Sequence, residues 1–126
     1  IGMVTMLCVV KEFTFDAAHN LVSYHGKCEK LHGHTYKLQI VVCGEKDEEG
    51  MVIDFTQLKE LVNEYVLKYL DHAYINDIIQ QPSAENIAQW IWDRIEVPLS
   101  SERYSLKEVR LWETPTSHVI YSKYNK

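Results

Sequence analysis

Proline and glycine are scarce in this chain of 126 residues, at three and five, and cysteine numbers only three. So few chain breakers exclude collagen-like and low-complexity architectures. An odd, small number of cysteines in a chain of this length argues against a disulfide framework. Cys8 and Cys43 stand in apolar stretches and read as buried, inert core thiols, whereas Cys28 stands among lysines and histidines. No apolar run is long enough to cross a bilayer. The N-terminal apolar stretch, residues 3–10, also lacks the charged start and small-residue cleavage site of a signal peptide. Positive charge is in deficit, with 13 Lys and Arg against 18 Asp and Glu. That leaves no concentrated basic surface of the kind nucleic-acid binders carry. An anionic small molecule stays compatible, because a local cluster of donors can outweigh the net charge. The expectation is one domain over residues 1–126, in the reducing cytoplasm, with neither nucleic acid nor membrane as partner.

What is present is regular patterning with no linker or repeat. Phe13, Phe15 and Ala17 alternate with Glu12, Thr14 and Asp16, predicting a half-buried strand over residues 4–17. Tyr36, Leu38, Ile40 and Val42 alternate in the same way along a second strand over residues 32–43. An acidic turn and a short extended return over residues 51–55 follow. Leu58, Leu61, Val62, Tyr65, Val66, Tyr69 and Leu70 recur at helical spacing, predicting an amphipathic helix over residues 56–70. Ser83 is a good N-cap for a second helix carrying Ala84, Ile87, Ala88, Ile91 and Ile95, which stops before Pro98. Strands over residues 105–113 and 117–124 complete a ββααββ order. Paired strands point to an α+β fold, a four-stranded antiparallel sheet with two helices on one face. Its two edges favour self-association.

His32 and His34 lie two apart on a strand, so both project from the face of Tyr36 and Leu38. His19 continues the inward parity of Phe15 and Ala17. If the two strands form a hairpin, the three rings converge, with Gly33 leaving room between two of them. Three neutral histidines are a usual catalytic zinc set with a fourth position open, and no well-placed fourth protein ligand is evident. Simple packing of an H-x-H pair is the competing reading. Asp71 beside His72 suits an acid–base dyad, or a histidine at a helix C-terminus. Glu113 shares parity with Val109 and Leu111. A buried carboxylate there needs partners, either a ligand's N–H groups or a salt bridge. His25 and His118 read as loop and strand-end residues.

Six segments then occur in a telling order: Phe15-Asp16-Ala17-Ala18-His19, Cys28-Glu29-Lys30-Leu31-His32-Gly33-His34, Val52-Ile53-Asp54-Phe55, Leu70-Asp71-His72, Pro82-Ser83-Ala84-Glu85-Asn86 and Trp112-Glu113-Thr114-Pro115. Over nearly the whole chain this resembles the 6-pyruvoyl-tetrahydropterin synthase superfamily. The resemblance implies the tunnelling fold, with zinc on His19, His32 and His34. It implies catalysis by Cys28 with Asp71 and His72, a pterin edge anchored by Glu113, and a homo-hexamer of two trimers that shares active sites between subunits. The implied substrate is 7,8-dihydroneopterin triphosphate. Pyruvoyl-forming members resemble C-N-N-x-H-G-H. Glu29 and Lys30 here look more like the carboxy-forming enzymes, which release acetaldehyde and triphosphate on the way to the 7-deazaguanine base of queuosine. Glu29 also resembles the glutamate of relatives that cleave the side chain to 6-hydroxymethyl-dihydropterin, with a solvated loop carboxylate as the plain alternative. Ser83 stands where a threonine is common. A non-catalytic zinc- or pterin-binding module is the alternative from another class, against which Cys28, Asp71, His72 and Glu113 together weigh.

Overall fold

A computed structural model describes residues 6–123. Strands β1 (Leu7–His19) and β2 (His32–Gly44) form a long antiparallel hairpin running from Leu7 opposite Gly44 to His19 opposite His32. Helix α1 (Phe55–Val62) runs into a π-helical segment (Asn63–Leu67) and a last short turn, α2 (Lys68–Leu70). A two-residue strand, β3 (Ala73–Tyr74), a 3-10 turn (Ile75–Asp77) and helix α3 (Ala84–Ile95) follow. Strands β4 (Tyr104–Thr114) and β5 (Ser117–Tyr121) end the described chain.

The sheet has five strands in the order β3-β1-β2-β4-β5, one more than the sequence pattern gives. The extra strand, β3, pairs in parallel with β1 only through Ala17 and Ala18. Two residues are too few for periodicity to reveal. The main four strands are antiparallel as expected. The extended return at residues 51–55 is not a strand, because the Asp54 carboxylate accepts from Thr56 N at 2.7 Å and starts α1. The first strand reaches His19, two residues further than the pattern, and its expected first residues, 4 and 5, lie outside the described ones. The last strand stops at Tyr121, and residue 124 of its expected span is also outside them.

One sheet face and the helices make the core. Tyr36, Leu38 and Ile40 of β2 and Leu111 of β4 are fully buried with Leu58 of α1 and Ile91 of α3. Glu12, Thr14 and Asp16 on the opposite face of β1 stay exposed, which is the period-2 reading made solid. The expected helix over residues 56–70 keeps its apolar stripe but widens at Asn63–Leu67, where the Tyr65 carbonyl accepts from Arg94 Nε at 3.0 Å. Ser83 caps α3 by accepting from Asn86 N at 3.1 Å. Such a cap contributes about 1 kcal/mol.

The cysteine reading needs correction. Cys8 is exposed and is joined to Cys43 by a disulfide, so neither is an inert core thiol. Register explains this: the two residues stand directly opposite each other in the hairpin, with Cα atoms 4.0 Å apart. The apolar neighbours of each cysteine carry no information about that pairing. Cys28 is the free thiol among the described residues, and it is exposed.

Candidate metal centre and acid–base groups

The end of the β1–β2 hairpin away from the disulfide brings the histidines together. Ala17 faces His34 and His19 faces His32 across the two strands. One ring nitrogen from each of His19, His32 and His34, with one oxygen of Glu113, all lie within 4.8 Å of one another. The His19 and His32 Nε2 atoms are 3.1 Å apart. His19 Nδ1 contacts the Pro82 carbonyl at 2.8 Å, and His32 Nδ1 contacts the Lys30 carbonyl at 2.9 Å. A carbonyl can only accept, so each Nδ1 carries its proton and donates it. In the neutral rings both Nε2 atoms are then bare lone pairs, 3.1 Å apart. A cation between them relieves that repulsion, and carbonyl-oriented imidazoles are the usual second layer of a metal site.

Two further observations support a cation. His34 Nε2 is buried without a hydrogen-bond partner, although it lies 3.4 Å from Glu113 Oε1. The burial of His34 lowers its pKa, against the opposing pull of Glu113, so the ring favours the neutral form a metal requires. Glu113 Oε1 also lies 3.1 Å from His19 Nε2. The expectation of no fourth protein group is therefore corrected. The Glu113 carboxylate stands against the imidazoles because inward parity on β4 ends beside β2, a neighbour relation that requires the sheet order. Tyr36 lies beneath, its ring 5.6 Å from that of His34, and burial raises its hydroxyl pKa far above the ordinary range. The residues present fit a resident metal ion.

Gly33 does not separate the rings. It points to the opposite face, where with Ala18 it helps to line a cleft of about 480 Å³ that also takes in Asp16, His34, Thr35 and His72. Glu113 is not among the residues lining this cleft. Asp71 and His72 do form a pair, with carboxylate and Nδ1 3.0 Å apart. The same Asp71 oxygen accepts from Asp16 N at 3.1 Å, and His72 N donates to the Asp16 carbonyl at 2.6 Å. His72 takes a left-handed φ of 61° to make this turn. Neither member of the pair contacts Cys28, whose thiol donates to the Val22 carbonyl at 3.4 Å. Glu29 is tied into the same loop: its carboxylate accepts from Leu21 N at 3.1 Å and lies 3.9 Å from His32 Nδ1.

The family model for 6-pyruvoyl tetrahydropterin synthase matches residues 8–124. The chain belongs to that family. Among its relatives, the 6-carboxy-5,6,7,8-tetrahydropterin synthase of Haemophilus influenzae is 38% identical, over 94% of this chain and 100% of that one. The dihydroneopterin monophosphate aldolase of Pyrococcus furiosus is 43% identical, over 83% of this chain and 88% of the other. The structure of Caenorhabditis elegans 6-pyruvoyl tetrahydropterin synthase superposes with a TM-score of 0.81 at 25% identity, covering 98% of this chain and 100% of that one. Membership in the tetrahydropterin synthase family accounts for the hairpin and the helices together.

Sequence reasoning missed the polar residues that hold the site's loops. Asn20 N donates to Asn76 Oδ1 at 3.0 Å, and Asn76 Nδ2 donates back to the Asn20 carbonyl at 2.8 Å. Tyr74 donates its hydroxyl proton to Asn20 Oδ1 at 2.7 Å. The carbonyl of Pro82 orients His19, although only the Ser83 cap beside it is legible. Side chain-to-backbone bonds across more than fifty residues leave no periodic trace.

Proposed function

We propose that this chain is a zinc-dependent 6-carboxy-tetrahydropterin synthase. It converts 7,8-dihydroneopterin triphosphate into 6-carboxy-5,6,7,8-tetrahydropterin with release of acetaldehyde and triphosphate, a supply reaction for the 7-deazaguanine base of queuosine. The observation that carries the reading is the cluster of His19, His32, His34 and Glu113, its tautomers set by carbonyls, in a chain similar end to end to relatives of that name.

His19, His32 and His34 hold the zinc ion. When bound, zinc supplies Lewis acidity that lowers the pKa of side-chain hydroxyls. Cys28 moves protons between the side chain and the ring of the pterin. His72, oriented by Asp71, acts as the partner acid–base group. Glu113 accepts from the amino group and neighbouring ring N–H of the pterin, a charge-assisted two-point contact that selects the ring.

Cys28 touches neither Asp71 nor His72 within one chain, which fits a relay completed between subunits of a hexamer. The edge of β1 also supports assembly, since β3 covers only Ala17 and Ala18 and leaves the outer side from Leu7 to Asp16 without a strand neighbour among the described residues. We assign the enzyme to the cytoplasm. The Cys8–Cys43 pair stands at the far end of the hairpin from the histidines, so its redox state does not enter the chemistry.

A second reading has its own support. The aldolase relative and the nearness of Glu29 to His32 favour side-chain cleavage to 6-hydroxymethyl-dihydropterin. Mass spectrometry of products from the zinc-loaded protein separates the readings, since each leaves a pterin of different mass.

A further inference from the structure

We infer that Gln81 is a positioning residue for Cys28, clamping the loop that carries the thiol to the backbone that orients His19. The inference rests on the proposed role of Cys28. The loop between β1 and β2 has only local bonds of its own: one tight turn, with Tyr24 and Lys27 exchanging hydrogen bonds of 2.8 and 3.0 Å, the pairing of Glu29 with Leu21 through backbone and carboxylate, and the contact of Cys28 Sγ with the Val22 carbonyl. Into this loop reaches the Gln81 side chain, nearly sixty residues away. Its Oε1 accepts from Val22 N at 2.8 Å and Ser23 N at 3.2 Å, and its Nε2 donates to the Ser23 carbonyl at 2.8 Å. Two donors on one side and an acceptor on the other fix which end of the amide is which.

The consequence for the thiol is direct. The Val22 residue held by Gln81 supplies the carbonyl that accepts from Cys28 Sγ. Gln81 is itself held, because its own carbonyl accepts from Asn86 Nδ2 at 2.8 Å and Ser83 N at 2.9 Å, at the start of α3. The next residue, Pro82, gives its carbonyl to His19 Nδ1. Residues 81 and 82 thus tie the thiol and a histidine of the cluster to one short stretch of chain. The primary amide offers acceptor and donor together at this point. A carboxylate keeps the two N–H groups but sets oxygen against the Ser23 carbonyl, and an alanine gives up all three bonds, leaving these exposed backbone groups to water and the loop without its clamp.

The test compares Gln81→Ala and Gln81→Glu with the wild type as full-length, zinc-loaded proteins. Three quantities are read: the rate of Cys28 alkylation by iodoacetamide, kcat and KM with dihydroneopterin triphosphate, and bound zinc. Misplacing a reacting group by a fraction of an ångström lowers kcat, here by about tenfold in Gln81→Ala with KM within about twofold. Alkylation should accelerate severalfold as the thiol loses its fixed acceptor, zinc should stay at the wild-type level, and Gln81→Glu should fall between. An unchanged alkylation rate in Gln81→Ala, or a fall in kcat matched by equal loss of zinc, overturns the inference. Full turnover in Cys28→Ser would instead sink the role of the thiol, while the alkylation rates would still decide whether Gln81 clamps the loop.

Discussion

The three histidines stand on paired strands with His19 almost wholly buried, whereas Cys28 stands in an exposed loop and Asp71 and His72 on an exposed turn. The first group is held by a hairpin register that runs unbroken for thirteen residue pairs, so the ring nitrogens meet before any ligand arrives. The second is held by side chain-to-backbone bonds, and within one chain its thiol and its dyad do not meet. On the proposed function, metal binding would be a property of the folded subunit, and proton transfer a property of the assembly and its loops. That contrast can be attacked from either side.

The largest effect should come from the buried half. His32→Ala together with His34→Ala should abolish zinc binding and turnover, with zinc read by metal analysis; retention of stoichiometric zinc would remove the three-histidine site. On the exposed half, Cys28→Ala should keep zinc and lose about a hundred- to ten-thousand-fold in kcat, the usual contribution of an acid–base group. Unfolding and refolding Cys28→Ala together with His72→Ala should then restore part of the activity, because some mixed sites receive both intact groups. No recovery in a properly assembled mixture would mean that the relay closes within one subunit.

Glu113→Gln should act at the join between the halves. The substitution puts an amide donor opposite a ligand donor and removes contacts worth about 1.5–3 kcal/mol each, chiefly as a rise in KM. A normal KM with collapsed kcat would place this carboxylate in the chemistry, and lost zinc would make it a ligand of the ion. A smaller effect concerns acid. In the metal-free protein the burial of His34 holds its pKa below the ordinary 6.5, so the unfolded chain takes up the proton first. Stability from this residue is flat above that value and falls as pH drops through it toward the lower folded value. Urea midpoints of wild type and His34→Asn should diverge less at about pH 5.5 than at about pH 7.5. A gap that widens in acid would contradict the assignment.

Much of this was legible because strands write a period of two into the sequence. The inward parity of Phe15, Ala17 and His19 and of His32, His34 and Tyr36 holds as read, and so does the Ser83 cap. Relations that depend on register or sheet order were not legible. The Cys8–Cys43 pairing, the approach of Glu113 to His19, and β3 each require knowing which strand lies beside which. The Gln81 clamp and the Asn20–Asn76 exchange lie further out of reach, since a lone amide in a loop has no pattern to betray its partner.

The most direct test of the central claim is the product itself. Purified zinc-loaded protein incubated with 7,8-dihydroneopterin triphosphate should yield 6-carboxy-5,6,7,8-tetrahydropterin with stoichiometric acetaldehyde by mass spectrometry. A 6-pyruvoyl or 6-hydroxymethyl pterin as the main product, or unchanged substrate, would contradict it.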